Sequence, residues 1–159
     1  KVTKTGQKLA KPPSTTLMGI LYGARFARFD LLRQTTKLAT RVSRWTSLDD
    51  RRLLQLVRWI WSSRDLRQAG WVGDPTSKLG LNLFTDADFA GDTMTQRSTS
   101  GIHMAVHGPH TLFPLAGSSA AQRAVATSTP EAELAALHKG YKSHMLPTLD
   151  LWDVICEDP

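Results

Sequence analysis

The apolar residues of this chain change their period once, and the change falls at a cluster of chain breakers, Gly70, Gly73, Pro75 and Gly80. Before the cluster, apolar side chains recur three and four residues apart, the spacing of a helix face; after it they alternate, the spacing of a strand. A chain divided in this way predicts an α+β fold: a helical N-terminal subdomain followed by an α/β half-domain with a three-stranded antiparallel sheet and a helix. The expected boundaries are a basic extended arm over 1–16, a helical segment over 17–70, a linker over 71–79 and a second domain over 80–159.

The arm carries Lys1, Lys4, Lys8, Lys11 and the pair Pro12-Pro13, with little apolar content. From Leu17 to about Leu32 the segment is apolar enough for a buried helix, although Gly19 and Gly23 weaken it. A second helix is expected from Leu31 to Trp45, with Leu38, Val42 and Trp45 on one face and Arg33, Lys37, Arg41 and Arg44 on the other. The third has the clearest start: Ser47 supplies a capping oxygen, and Asp49 and Asp50 sit at the positive end of the helix dipole. Leu53, Leu54, Val57, Ile60 and Trp61 are expected on its core-facing stripe, with Gly70 at or after its end.

Beyond the breakers, Leu81–Asp86, Thr99–Val106 and Thr111–Leu115 read as strands, with a short extension over Arg123–Ala126 and a turn at His107-Gly108-Pro109. Ser128-Thr129-Pro130-Glu131 opens a helix with a hydroxyl cap, a proline at a tolerated position and an acid in the first turn. Leu134, Leu137, Tyr141 and Met145 are expected to line its packed face, and Pro147 to kink or break it before Leu149, Trp152 and Ile155.

Charge divides at the same place. Residues 1–80 hold 16 Lys/Arg against 5 Asp/Glu, a net of +11, and residues 81–159 hold 4 against 9, a net of −5, which together give +6. An Arg-rich helical half is a candidate polyanion surface, because Lys and Arg that neutralise phosphates release counterions. An ordinary solvated helix face is the competing explanation. Arg41, Arg44, Arg51, Arg52, Arg58, Arg64 and Arg67, together with Lys4, Lys8 and Lys11, are the candidate nucleic-acid-binding residues. Trp45, Trp59, Trp61 and Trp71 lie among these arginines, where a ring could stack on a base. Trp45 and Trp61 are expected in the core, and Trp59 is left open.

With a single cysteine, Cys156, neither an internal disulfide nor a cysteine-rich zinc site is available within the sequence. No apolar run reaches the length of a membrane span and no secretory signal opens the chain, so an intracellular, non-secreted protein is expected, in the mitochondrion, the nucleus or elsewhere. His103 and His107 are four apart, a one-face spacing on a helix, but this stretch reads as strand and turn, so ordinary surface histidines are expected.

Three blocks, Thr85-Asp86-Ala87-Asp88-Phe89-Ala90-Gly91-Asp92, Arg97-Ser98-Thr99-Ser100-Gly101 and Ala126-Thr127-Ser128-Thr129-Pro130-Glu131-Ala132-Glu133-Leu134, occur in the order in which similar blocks open the ribonuclease H domain of copia-type retrotransposon polyproteins. The chain resembles that family over about 17–155, most strongly over 81–137. Upstream, Leu17-Met18-Gly19-Ile20-Leu21-Tyr22 and the helix from Leu48 to Trp61 resemble the thumb region of the preceding reverse transcriptase. The resemblance implies a partial ribonuclease H-like domain.

In that family, a carboxylate on the first strand and one on the first helix hold two divalent cations that clamp the scissile phosphate and activate water. By motif position these are Asp86 and Glu133, with Asp88 and Asp92 nearby, and hard oxygen ligands suit magnesium. The next carboxylate of the pattern, on a strand after the helix, is not reached before Pro159. Along a continuous helix Asp150 would lie roughly 25 Å from Glu133, too far to replace it. Where the family has a Trp and then Ser-Lys-Lys-Gln, this chain has Leu112-Phe113-Pro114-Leu115 and Ser119-Ala120-Ala121-Gln122, so both lysines are gone.

The expectation is therefore a noncatalytic, RNA-associated structural protein derived from a retroelement, such as a subunit of a ribosome or another large ribonucleoprotein. Its partners would be RNA and neighbouring proteins covering the exposed sheet edge, with no membrane, small-molecule substrate or cofactor. The alternative is a fragment of an active reverse transcriptase/ribonuclease H that uses Mg²⁺.

Overall fold

A computed structural model describes residues 12–92 and 94–156. The chain divides into two compact units after Gln68. Lys4, Lys8 and Lys11 lie outside the described residues.

The first unit is helical. Helix α1 (Pro13–Ala27) starts with proline in its first turn, where no amide partner is needed. Residues 13–16, expected in the extended arm, are therefore helical. At the far end Arg28 donates to both carboxylate oxygens of Asp30, at 2.9 and 2.8 Å, and to the Ser63 carbonyl at 3.0 Å. That guanidinium ties the turn after α1 to the end of the third helix.

Helix α2 (Leu32–Ala39) is half the length expected, and a separate 3₁₀ turn at Val42–Arg44 follows it. Its threonines explain the early stop. The hydroxyls of Thr35, Thr36 and Thr40 bond back to the carbonyls of Leu31, Leu32 and Lys37 at 2.8–2.9 Å, and this local bonding competes with helix propagation.

Helix α3 (Ser47–Ser62) is capped by Thr46 rather than Ser47. The Asp49 carboxylate reaches back to accept from the Thr46 amide at 3.0 Å and the Thr46 hydroxyl at 2.7 Å. Asp49 is fully buried, and the packed stripe runs Asp49, Leu53, Leu56 and Ile60. Leu54, Val57 and Trp61 point outward instead, with Trp61 70% exposed and Arg64 over its ring at 5.0 Å. The expected stripe was thus rotated around the helix. Leu17, Ala24, Leu31, Leu32, Leu38, Leu53 and Leu56 form the core of this unit, with Trp45 partly buried against it.

The second unit is a sheet with strands in the order β1-β2-β3, where β1 is Gly80–Asp88, β2 is Thr99–Gly108 and β3 is Thr111–Ala121. Both pairings are antiparallel, with a register shift at Met104/Ala105. β1 is an edge strand, and β2 lies in the centre.

The segment expected as a linker over 71–79 is held against the β2–β3 hairpin. Trp71 and Leu112 exchange backbone hydrogen bonds of 2.9 and 3.0 Å, and Asp74 accepts from the His110 amide at 2.6 Å. The extension expected at Arg123–Ala126 does not form a strand. Gln122 directs the chain elsewhere: its backbone amide donates to Ser98 at 2.8 Å, and its side chain donates to the Ala132 carbonyl at 2.8 Å, turning the chain toward the next helix.

Helix α4 (Thr129–Gly140) is capped as expected by Ser128, which accepts from the Glu131 amide. Its packed face differs from expectation. Ala132, Ala136 and Gly140 are buried, while Leu134, Leu137 and Tyr141 are exposed. Small side chains let the helix approach β1 closely: a Cβ on Gly140 would meet the Thr85 methyl carbon at 2.9 Å. A π-turn at Tyr141–Met145 joins α4 to helix α5 (Leu146–Cys156), so the chain stays helical through Pro147. Among the described residues, no helix is long and apolar enough to cross a membrane.

Candidate functional site

Asp86 and Glu133 are placed by β1 and α4. Residues paired across an antiparallel ladder share a face, and successive residues along a strand alternate. Ala87 packs with Ala132 and Ala136 under α4, and Leu83 and Thr85 meet Gly140. The α4-covered face of β1 therefore carries residues 83, 85 and 87. Asp86 belongs to the opposite face, with Gly101 across from it and the Phe84 ring two residues before. It is exposed, whereas Glu133 is half-buried beside Ala132.

The expectation that the strand acid and the helix acid converge is not met by this alternation. The other acids of the first block have local roles. Asp92 accepts from the Met94 amide at 3.0 Å and the Thr95 hydroxyl at 2.7 Å, and the Asp88 carboxylate lies against Gly91. Glu131 accepts from the amide and hydroxyl of Thr127, at 2.6 and 2.7 Å, which holds its carboxyl below the usual carboxylate range. Among the described residues, no group of three or more His, Cys, Asp or Glu side chains stands close enough together to hold a metal ion. The donor set for a magnesium pair is not assembled from them.

Phe84 stacks on His103 at 6.0 Å between centroids and meets His107 at 5.6 Å, so the two histidines share the face of Asp86. Burial, and the neighbouring His107, push the His103 imidazole below its ordinary value.

The arginines separate into groups. Arg41 and Arg52 converge on one oxygen of buried Asp49, at 2.5 and 3.3 Å. Burial alone would raise the Asp49 carboxyl, but the hydrogen bonds from Arg41 and Thr46 outweigh it and hold the group below its ordinary range. Arg51 and Arg58 are exposed two turns apart on α3. Arg64 caps the Trp61 carbonyl at 3.1 Å, Arg67 caps that of Arg64 at 2.7 Å, and Arg44 stands exposed in the 3₁₀ turn.

Arg41 and Arg52 also line a cleft of about 510 Å³ between α2 and α3. Its other polar members, Gln34, Lys37, Gln55 and Asp30, are not among the residues that the sequence marks as candidates, and Trp59 is its open case. The signal was present as spacing. Asp30, Gln34, Lys37 and Arg41 are four, three and four apart, and Arg52, Gln55 and Trp59 are three and four apart, so each set falls on one helix face.

No protein-family model, curated protein or solved structure matches this chain.

Proposed function

We propose that this chain is a noncatalytic, RNA-associated structural protein derived from a copia-type retroelement, working as a subunit of a large ribonucleoprotein such as a ribosome. The observation that carries the reading is the convergence of Arg41, Arg52 and Lys37 at one end of a solvent-open cleft in the helical unit. Arginine presents several donors, so a guanidinium already bonded to Asp49 keeps others for phosphate. The ribonuclease H-like reading of the second unit rests on the three sequence blocks, and the placement of Asp86 on the face away from α4 supports a noncatalytic role. The outer edge of β1 and the exposed Leu134, Leu137 and Tyr141 would be covered by neighbouring proteins.

The test is to incubate the chain with an RNA–DNA hybrid and Mg²⁺, with Asp86→Asn alongside. Binding without cleavage is the expected result. Cleavage that disappears in Asp86→Asn would replace this reading with the enzyme one.

A further inference from the structure

The cleft between α2 and α3 is polarised along its length. The two helices run antiparallel across it, since Asp30 at the start of α2 meets Trp59 near the end of α3, and Arg41 beyond α2 meets Asp49 at the start of α3. One end therefore holds the Trp59 ring, 54% exposed, beside Gln34 and Asp30. The other holds Lys37, Arg41 and Arg52. Leu31, Leu38 and Leu56 form the apolar floor between them, with Gln55 on the wall.

Charge fixes the direction in which an anionic aromatic ligand would lie. Three cations stand at one end against the single buried carboxylate of Asp49, so the end keeps a net positive charge. At the other end Asp30 is paired with Arg28, which donates to both of its oxygens, so the Trp59 end has no surplus positive charge to draw a phosphate. Trp59 and Arg52 are seven residues apart on α3, a separation of about 10 Å along the helix axis. A base stacked on the indole would thus leave its phosphate, or that of the next nucleotide, at the arginines. The two glutamine amides, each with donors and an acceptor, face the space between. The volume falls within the range of about 300–1,000 Å³ over which small-ligand sites are found.

We infer that this cleft captures one nucleotide of a single-stranded RNA, with its base stacked on Trp59 and its phosphate held by Arg52, Arg41 and Lys37. The inference rests on the proposed RNA association and assigns it a site. Stacking of single-stranded bases on exposed aromatic rings, with arginines along the backbone, is a general mode of sequence-tolerant recognition.

The experiment uses the whole chain and a fluorescein-labelled single-stranded RNA of about ten nucleotides, followed by anisotropy over a series of salt concentrations. Trp59→Ala should weaken binding by about 5- to 150-fold, the loss expected for one stacked base. Trp59→Phe should recover most of it. Arg52→Gln should lower the slope of log affinity against log salt by about 0.7, the value for one phosphate contact on a single strand. Trp61→Ala, which removes a more exposed indole outside the cleft, should leave affinity within about twofold, and thermal melts of all variants check that they fold.

If the wild-type chain binds RNA but Trp59→Ala and Arg52→Gln bind as it does, the cleft assignment is overturned and the RNA association stands. If the wild-type chain binds no RNA, the association itself falls. If 5′-AMP alone binds as tightly as the oligonucleotide, the cleft is a free-nucleotide site and the RNA assignment is wrong.

Discussion

The Thr111 hydroxyl donates to the Asp74 carboxylate at 2.8 Å and accepts from the Gly73 and Asp74 amides at 3.1 and 3.2 Å, joining residues 37 and 38 positions apart. Thr111 is buried, so these partners cannot all be replaced by water. The contact fastens the segment before β1 across the β2–β3 hairpin, beside the Trp71–Leu112 bridge.

Asp74→Ala removes the acceptor for both Thr111 and the His110 amide. The expected cost is about 1–3 kcal/mol, the usual penalty for leaving a buried donor unpaired. Hydrogen exchange should report it locally, with the Trp71 and Leu112 amides losing protection before those in the middle of β2.

Asp49 makes the helical unit sensitive to acid. Its carboxyl is held below its ordinary range in the folded chain, so the unfolded chain binds the proton first as pH falls. The stabilisation is complete above the unfolded aspartate value of about 3.9 and is lost as pH falls through the depressed folded value. A plot of melting temperature against pH should therefore drop across this window. In Asp49→Asn that drop should be shallower, from a lower starting stability at pH 7.

The Gly140 contact gives a paired prediction. A methyl group at 140 would press on the Thr85 methyl carbon at 2.9 Å. Gly140→Ala, which in an open helix position would gain about 1 kcal/mol of propensity, should instead destabilise by about 1–3 kcal/mol through overpacking. Thr85→Ser clears the obstructing methyl and should return most of the loss, a coupling that chemical denaturation of the four-member cycle would measure.

His103 titrates below the ordinary histidine value because of burial and the nearby His107. The unfolded chain therefore takes up a proton at higher pH than the folded one. Stability of the sheet unit should be full above about pH 6.5 and decline as pH falls below it toward the depressed value. An NMR titration should find the His103 ring shifting at lower pH than a histidine in an unstructured peptide.

Element type was readable where one local force dominates. Alternation placed all three strands, and the Ser128 hydroxyl with Pro130 and Glu131 placed the start of α4. Facing was less readable, because it depends on what packs opposite. In α3 the buried acid Asp49 takes a position on the inner stripe that a pattern of apolar residues would never assign to it. In α4 the close approach to β1 selects alanine and glycine, and apolar periodicity pointed instead to Leu134, Leu137 and Tyr141. The cleft residues were visible only as spacing on two helices, and nothing in the sequence states that those helices face each other. Lys37 lies on the expected polar face of the second helix, but Gln34 and Gln55 are uncharged and carry no comparable signal.

The π-turn at Tyr141–Met145 carries an extra residue before Pro147, whose ring would otherwise crowd a carbonyl in the preceding turn. The Thr148 hydroxyl takes up the His144 carbonyl at 2.7 Å. One inserted residue advances the helix by about 100° in azimuth. Side chains of α5 are therefore out of phase with those of α4, and Leu151, Val154 and Ile155 open a second apolar bearing instead of lengthening the one begun at Leu134. The rod of α4 and α5 thus presents two separate apolar flanks in place of one continuous stripe.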